Sequence, residues 1–367
     1  GGATGLGLLA KGPVAPFLLF VTFCIHLAWT HRARRLASLD ALTGIAAALL
    51  VGLPWYAAMY VLHKGDFVQG FLIANNVQRF LKAEHVSQTG SWYSHFLNIP
   101  ILLVLFFPWS VFLVQSLRKC GKVNDGAKLA LVWFASVFVF FSLSKTILVT
   151  YIFPLYPAAA ILVGAYLDSV LFSADREGKG IRKALWAGFG FSLLLMFALA
   201  KTAHKAAPFA EKTALVAGGL MVLGFCAALI WDYAKRKPNA GPVWAMGTGM
   251  VLFSSWLMVI VAPTVGANYS TRDLVRNLNL TTDTKLVVYN TKFPSVLYYT
   301  DRIPDIVMNE KSLQKVLQGG SRVIVITKRR KAGNILSLGL VPVRRSGEML
   351  LLSNRPSADA KGFTKKW

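Results

Sequence analysis

The sequence predicts a polytopic α-helical membrane protein with a small C-terminal α/β domain outside the bilayer. Three observations predict it: eight apolar stretches within the first 263 residues, an alternation of basic and mixed loops between them, and a change to short β-rich runs from Thr264. The two parts are read as a multi-helix membrane domain over 1–263 and an extracytoplasmic α/β domain over 264–367.

The apolar stretches run Pro13–Trp29, Ala41–Leu62, Phe96–Leu117, Ala127–Phe141, Ile147–Leu171, Ala184–Ala200, Thr213–Trp231 and Val243–Ala262. Each approaches the roughly 20 residues that cross a hydrocarbon core. Backbone polar groups cannot stay unpaired in lipid, so each stretch is expected to be helical. Gly1–Ala10 reads as the end of one more helix already under way, with no basic region before it, so it is not a signal peptide. The chain is accordingly read as an N-terminally truncated piece of a longer protein.

Lys and Arg set the orientation. His31–Arg35, Arg118–Lys122, Arg176–Lys183 and Lys235–Lys237 are basic, whereas the loops 63–95 and 201–212 carry compensating acids at Asp66, Glu84 and Glu211. The excess of positive charge on the cytoplasmic side places the first set inside, and everything after Ala262 outside.

A net charge of +24 points to nucleic acid in a soluble protein, but 55% of these residues are hydrophobic and the mean hydropathy is +0.51. The charge is instead loop charge that meets anionic headgroups, at about 1 kcal/mol per residue near the surface. The partners expected are a lipid bilayer and its lipids, with no nucleic acid. The three cysteines, Cys24, Cys120 and Cys226, show neither a disulfide framework nor metal-binding spacing.

In the C-terminal part, Lys285–Asn290, Arg322–Thr327 and Met349–Ser353 read as strands, with Ile303–Met308 as a fourth candidate. Glu310–Gln318 reads as an amphipathic helix stopped by Gly319-Gly320. Tyr269–Leu278 reads as a helix with Ser270 or Thr271 at its cap. No phosphate loop, catalytic triad or metal motif is present here, so the domain reads first as structural, with carbohydrate or partner binding as the alternative.

The polar groups of interest lie at outward turns. Gly12-Pro13 breaks the first helix and leaves Lys11 at the mouth of a hairpin. A lysine there can simply reach for headgroups. The loop 63–95 carries Asn75-Asn76-Val77-Gln78-Arg79-Phe80 and Glu84-His85, and Phe67, Phe71 and Ala74 recur at helical spacing. Asp66–Leu81 is therefore expected to be an interfacial helix. Arg79 is suited to forked hydrogen bonds with phosphate, and His85 to proton transfer or metal ligation. Lys145 sits in a third outward turn, Phe141–Thr146, before Tyr151, Pro154, Tyr156 and Pro157 open the returning helix, where a broken ladder exposes carbonyls to a cavity. Lys11, Arg79, His85 and Lys145 are thus expected to converge on one anionic ligand beside lipid. A lipid phosphate fits, and its chemistry is loss of a sugar from a polyprenyl phosphate with cations stabilising the growing charge. The general base is not visible. Glu84-His85 is a weak pair for a divalent metal ion.

These residues resemble a family. Gly7–Pro13 is similar to the LxKGP hairpin of bacterial type-C glycosyltransferases. Asn76–Phe80 with Glu84-His85 and Trp92-Tyr93, then Phe107-Pro108-Trp109, then Phe140–Thr146 with Tyr151–Pro157, follow that family's motifs in order. The set resembles the transferases that add aminoarabinose to lipid A, within the protein O-mannosyltransferase superfamily. The resemblance implies a bacterial inner-membrane enzyme with a periplasmic C-terminal domain. It would move sugar from an undecaprenyl-phosphate donor to a lipid A, glycan or protein acceptor. It implies donor-phosphate binding by Lys11, Arg79 and Lys145, a site lined by Asn76, His85 and Tyr151, and Glu84 and His85 as the candidate metal ligands. It places the catalytic aspartate upstream of Gly1, so the segment alone is expected to be inactive. Two readings compete with this: a protein that binds or translocates the lipid without catalysis, and a scaffold whose tail recruits an envelope partner.

Overall fold

The computed structural model describes residues 1–81, 96–119, 124–145, 147–171, 179–206, 210–234, 239–276, 278, 280–281, 283–291 and 293–355. Among these, six helices are long and apolar enough to cross a membrane: those within Leu39–Gln78, Asp125–Leu143, Val149–Leu171, Gly180–Ala206, Ala210–Ala234 and Gly241–Ala267. This is a multi-pass membrane protein. The first expected span is the shorter apolar helix Val14–Trp29, and the third is a pair, Asn98–Leu105 and Trp109–Lys119, bent by 114°. The single helix expected over Phe96–Leu117 is thus two helices that meet at a bend. Pro108, which has no amide hydrogen to continue the ladder, stands in the break.

The chain divides into two compact units. One comprises Gly1–Gly190 and Phe225–Gly247, the other Phe191–Gly224 and the chain from Thr248 onward. Within the first, the helix Gly2–Lys11 lies close along Leu39–Phe67 because glycines line the seam. A Cβ on Gly5 would stand 2.7 Å from the Ala48 carbonyl oxygen, and one on Gly52 would stand 2.5 Å from Leu8 Cδ2. The Tyr56 hydroxyl donates to the Leu8 carbonyl at 3.0 Å and fixes the end of the short helix. The long helix turns aside at Lys64, whose φ is 43° and ψ −120°. It then continues as a π-helix, Val68–Gln78, and a last turn, Arg79–Leu81. The expected helix over Asp66–Leu81 is thus helical throughout, but as a continuation of the preceding span.

Within the second unit, Ala203, Ala210, Ala214 and Ala217 pack against Val261, and Trp256 Nε1 donates to the Thr213 carbonyl at 3.1 Å. Its C-terminal part is a five-stranded sheet in the order β2-β1-β3-β5-β4, where β1 is Thr284–Tyr289, β2 Asp305–Val307, β3 Arg322–Lys328, β4 Val341–Ser346 and β5 Met349–Ser353. β1 pairs in parallel with both β2 and β3, and β5 runs antiparallel to β3 and β4. β1 and β3 are covered on both faces, hence their near-continuous apolar runs. Leu286, Val288, Ile324 and Ile326 face Leu274 and Val296 on one side. On the other side, Val287, Val323 and Val325 face Leu313 and Ile335.

The strands expected at 285–290, 303–308, 322–327 and 349–353 are present, the second shortened to three residues. The helix expected over Glu310–Gln318 spans Glu310–Leu317, capped by Asn309, whose Oδ1 accepts from the Ser312 amide at 2.9 Å. The helix expected over Tyr269–Leu278 is reduced to Arg272–Val275, because Tyr269 ends the helix Ala262–Tyr269 before it. Ser270 Oγ accepts from the Arg272 amide at 3.2 Å. β4 and the helix Arg329–Leu336 are additions to what the sequence pattern predicts.

Candidate functional site

The first unit holds a cleft of about 450 Å³ built from four segments. Leu9–Gly12 and Val14 form one side, Trp55 and Phe71 another, and Asn76 with Phe80 a third, while Phe140, Phe141, Ser144 and Tyr151 close it. Lys11 supplies the cation. It is exposed, as the last residue of its helix, and its ammonium stands 5.0 Å from the centroid of the Tyr151 ring.

Gly12 makes the turn that leaves Lys11 there. Its φ of 77° and ψ of −164° lie in a region essentially reserved for glycine. A Cβ on it would come within 3.2 Å of Asn76 Oδ1. Asn76 is held from behind, its amide donating to the Phe71 carbonyl at 2.9 Å. The carbonyl oxygen of the Asn76 side chain is thereby turned toward Gly12.

Aromatic rings form the apolar wall. Phe67 and Phe71 stack at 5.3 Å, and Trp55 meets each of them edge-on. Phe80 lies 5.0 Å from Phe140, and Phe141 lies 5.3 Å from Tyr151. The amide of Lys145 donates to the Phe80 carbonyl at 3.0 Å, which ties the third outward turn to the end of the second. No carboxylate is among the described lining residues. A positive head beside an aromatic wall suits an amphiphile with an anionic head and an apolar tail.

No protein-family model matches the chain. The undecaprenyl phosphate-alpha-4-amino-4-deoxy-L-arabinose arabinosyl transferase of Pseudomonas aeruginosa (strain UCBPP-PA14) is 29% identical over 275 residues, which cover 73% of this chain and 46% of that enzyme. Its counterpart from Edwardsiella ictaluri (strain 93-146) is 31% identical over 185 residues, 49% of this chain and 32% of that enzyme. The chain spans less than half the length of these relatives. Among solved structures, ArnT from Cupriavidus metallidurans bound to undecaprenyl phosphate superposes with a TM-score of 0.75 at 21% identity, over 99% of this chain and 69% of that one. The chain has the fold of that transferase. In sequence it is similar to the aminoarabinose transferases.

Within this fold, three of the expected site residues, Lys11, Asn76 and Tyr151, come together around one cleft. Lys145 is exposed and outside the lining, although its neighbour Ser144 belongs to it. Arg79 follows Asn76 on the same helical segment, so its backbone is placed near the cleft while its side chain lies outside the described residues. Glu84 and His85, with the metal assignment that rests on them, lie outside the described residues as well. Of the wall, Trp55 carried no signal in the sequence; Phe71 showed only its helical spacing with Phe67, and Phe80 and Phe140 only their places in the motif stretches.

Proposed function

We propose that the chain serves in a membrane glycosyltransferase of the bacterial inner membrane. In this reading a sugar passes from an undecaprenyl-phosphate-linked donor to lipid A, or to another envelope glycan or protein acceptor, at the periplasmic face. The segment 264–367 is its periplasmic domain. The observation that carries the reading is Lys11, fixed by Gly12 at the mouth of an aromatic cleft and held over Tyr151. The relatives named for undecaprenyl phosphate aminoarabinose transfer and the ArnT fold support the choice of donor.

The chemistry follows from where charge grows. As the bond between the anomeric carbon and the phosphate oxygen breaks, negative charge builds on the departing phosphate, and a fixed ammonium lowers that barrier more than it lowers the ground state. In this reading Lys11 and Arg79 take this role with Lys145 at the rim, Asn76 lines the site, and the aromatic wall seats the first part of the prenyl tail.

The test is binding of undecaprenyl phosphate to the full chain in detergent, followed by native mass spectrometry. Losing a charged donor costs about 1.5–3 kcal/mol, so Lys11→Ala is expected to weaken binding at least tenfold. The assignment fails if both Lys11→Ala and Arg79→Ala bind within threefold of the parent chain. In the intact protein the same changes are expected to slow transfer on the order of 100-fold.

A further inference from the structure

The C-terminal sheet carries a crevice that shares no residue with the cleft around Lys11. The helices that follow β1 and β3 lie on opposite faces: Val296 of the helix Pro294–Thr300 packs on one, and Ala332 and Ile335 of Arg329–Leu336 on the other. In open α/β sheets ligands bind beyond the carboxyl ends of the strands. A cleft of about 700 Å³ lies at that end of β1, bounded by the helices Glu310–Leu317 and Arg329–Leu336. Its volume falls in the range of small-molecule sites.

The crevice is built from polar groups already fixed in place. Asn290, just after β1, adopts a left-handed φ of 47°. It is clamped by Lys331, whose ammonium donates to its carbonyl at 2.5 Å and to its Oδ1 at 2.9 Å. The Asn290 amide donates to Val307 at the end of β2 at 2.7 Å. Lys311 and Lys315, one helical turn apart, both line the opening, with Glu310 and Asn334 beside them. Tyr289 lines it as well: its ring is buried against the sheet, while its hydroxyl reaches the surface and makes no hydrogen bond among the described residues. That hydroxyl is therefore open to a partner from solvent.

We propose that this crevice binds a phosphorylated sugar. Lys311 and Lys315 take the phosphate, which needs point charges of the right sign. The Tyr289 hydroxyl, the side-chain amides of Asn290 and Asn334, and the Glu310 carboxylate take the sugar hydroxyls, which need donors and acceptors together. The sugar phosphate can be free or the head of a glycolipid; the chemistry is the same.

The experiment is isothermal titration of the full chain in detergent with glucose 1-phosphate. It is run in a Lys11→Ala background, so that loss of the transferase assignment does not affect the result. Saturable binding is expected, weakened about fivefold by Tyr289→Phe and about tenfold by Lys315→Gln, while circular dichroism and the thermal midpoint below pH 9 stay unchanged. No binding, or equal binding by both variants, overturns the site. Inorganic phosphate or glucose binding as tightly as glucose 1-phosphate overturns the assignment to a phosphorylated sugar. Tighter binding of a micellar phosphorylated glycolipid supports the lipid-linked source, and equal binding the free one.

Discussion

The ammonium of Lys11 stands over the ring of Tyr151 at 5.0 Å, so a cation from one hairpin is held by an aromatic from a segment some 140 positions away. Such a pair contributes about 0.5–1 kcal/mol at an exposed site. Tyr151→Leu is therefore expected to weaken undecaprenyl phosphate binding three- to fivefold, and Tyr151→Phe, which keeps the ring, by less than twofold. A titration with the lipid separates the two, and equal losses would show that the hydroxyl and not the ring matters.

Gly12→Ala is expected to destabilise the first unit by about 1–3 kcal/mol, because its backbone angles suit only glycine. The new methyl also meets Asn76 Oδ1. Adding Asn76→Ala relieves the crowding but leaves the backbone cost. The double variant should thus regain only part of the thermal midpoint lost, as read by differential scanning fluorimetry.

Arg302 donates to the carbonyls of Leu280, Thr281 and Thr284 at 3.0, 2.8 and 3.4 Å. A lysine cannot span three acceptors with a planar fork. Arg302→Lys is expected to cost about 1–2 kcal/mol, given roughly 0.5–1.5 kcal/mol for a typical hydrogen bond. Hydrogen exchange should quicken at the start of β1, before that in β3 changes.

Leu313 is fully buried between its helix and the sheet, whereas Lys311 on the same helix is exposed. Leu313→Ala is expected to cost about 2–5 kcal/mol through the cavity it leaves. Lys311→Ala should stay within about 0.5 kcal/mol. Chemical denaturation of the two variants measures the contrast.

Burial, and after it the charge of Glu310, raises the pKa of Tyr289 above that of a free phenol. The folded chain therefore holds this proton where the unfolded chain has begun to lose it. The contribution to stability is full below the ordinary phenol value near 10 and falls as pH rises through the raised one. The difference in thermal midpoint between the parent chain and Tyr289→Phe is expected to be flat below pH 9 and to shift in favour of the variant above pH 10. A flat difference throughout would place the phenol in water.

The helices were legible because lipid leaves the backbone a single option, so an apolar run of the right length suffices. Direction was not. Hydropathy reads Phe96–Leu117 as one run and is blind to the bend between Leu105 and Trp109. β1, β3 and β5 were legible as apolar runs of buried strands, whereas β4 carries Pro342, Arg344 and Arg345 and reads as a loop. It survives as an edge strand with a bulge between Pro342 and Arg344. In the cleft, Lys11, Asn76 and Tyr151 stood out as polar groups at outward turns. Trp55 and Phe140 did not, since inside an apolar stretch an aromatic facing lipid and one facing a cleft have the same letter.

The length of the helical run Leu39–Gln78 has its own consequence. Its α-helical part alone, the 29 residues of Leu39–Phe67, measures about 44 Å against the roughly 30 Å of a hydrocarbon core. Lys64, where the path bends, lies near the end of that length. Phe71 and Asn76 are carried on the π-helix beyond that bend and Phe80 on the turn after it, so their height above the acyl chains depends on how thick those chains are. Shorter or longer lipids thus shift that wall of the cleft relative to the acyl chains with no change in the sequence.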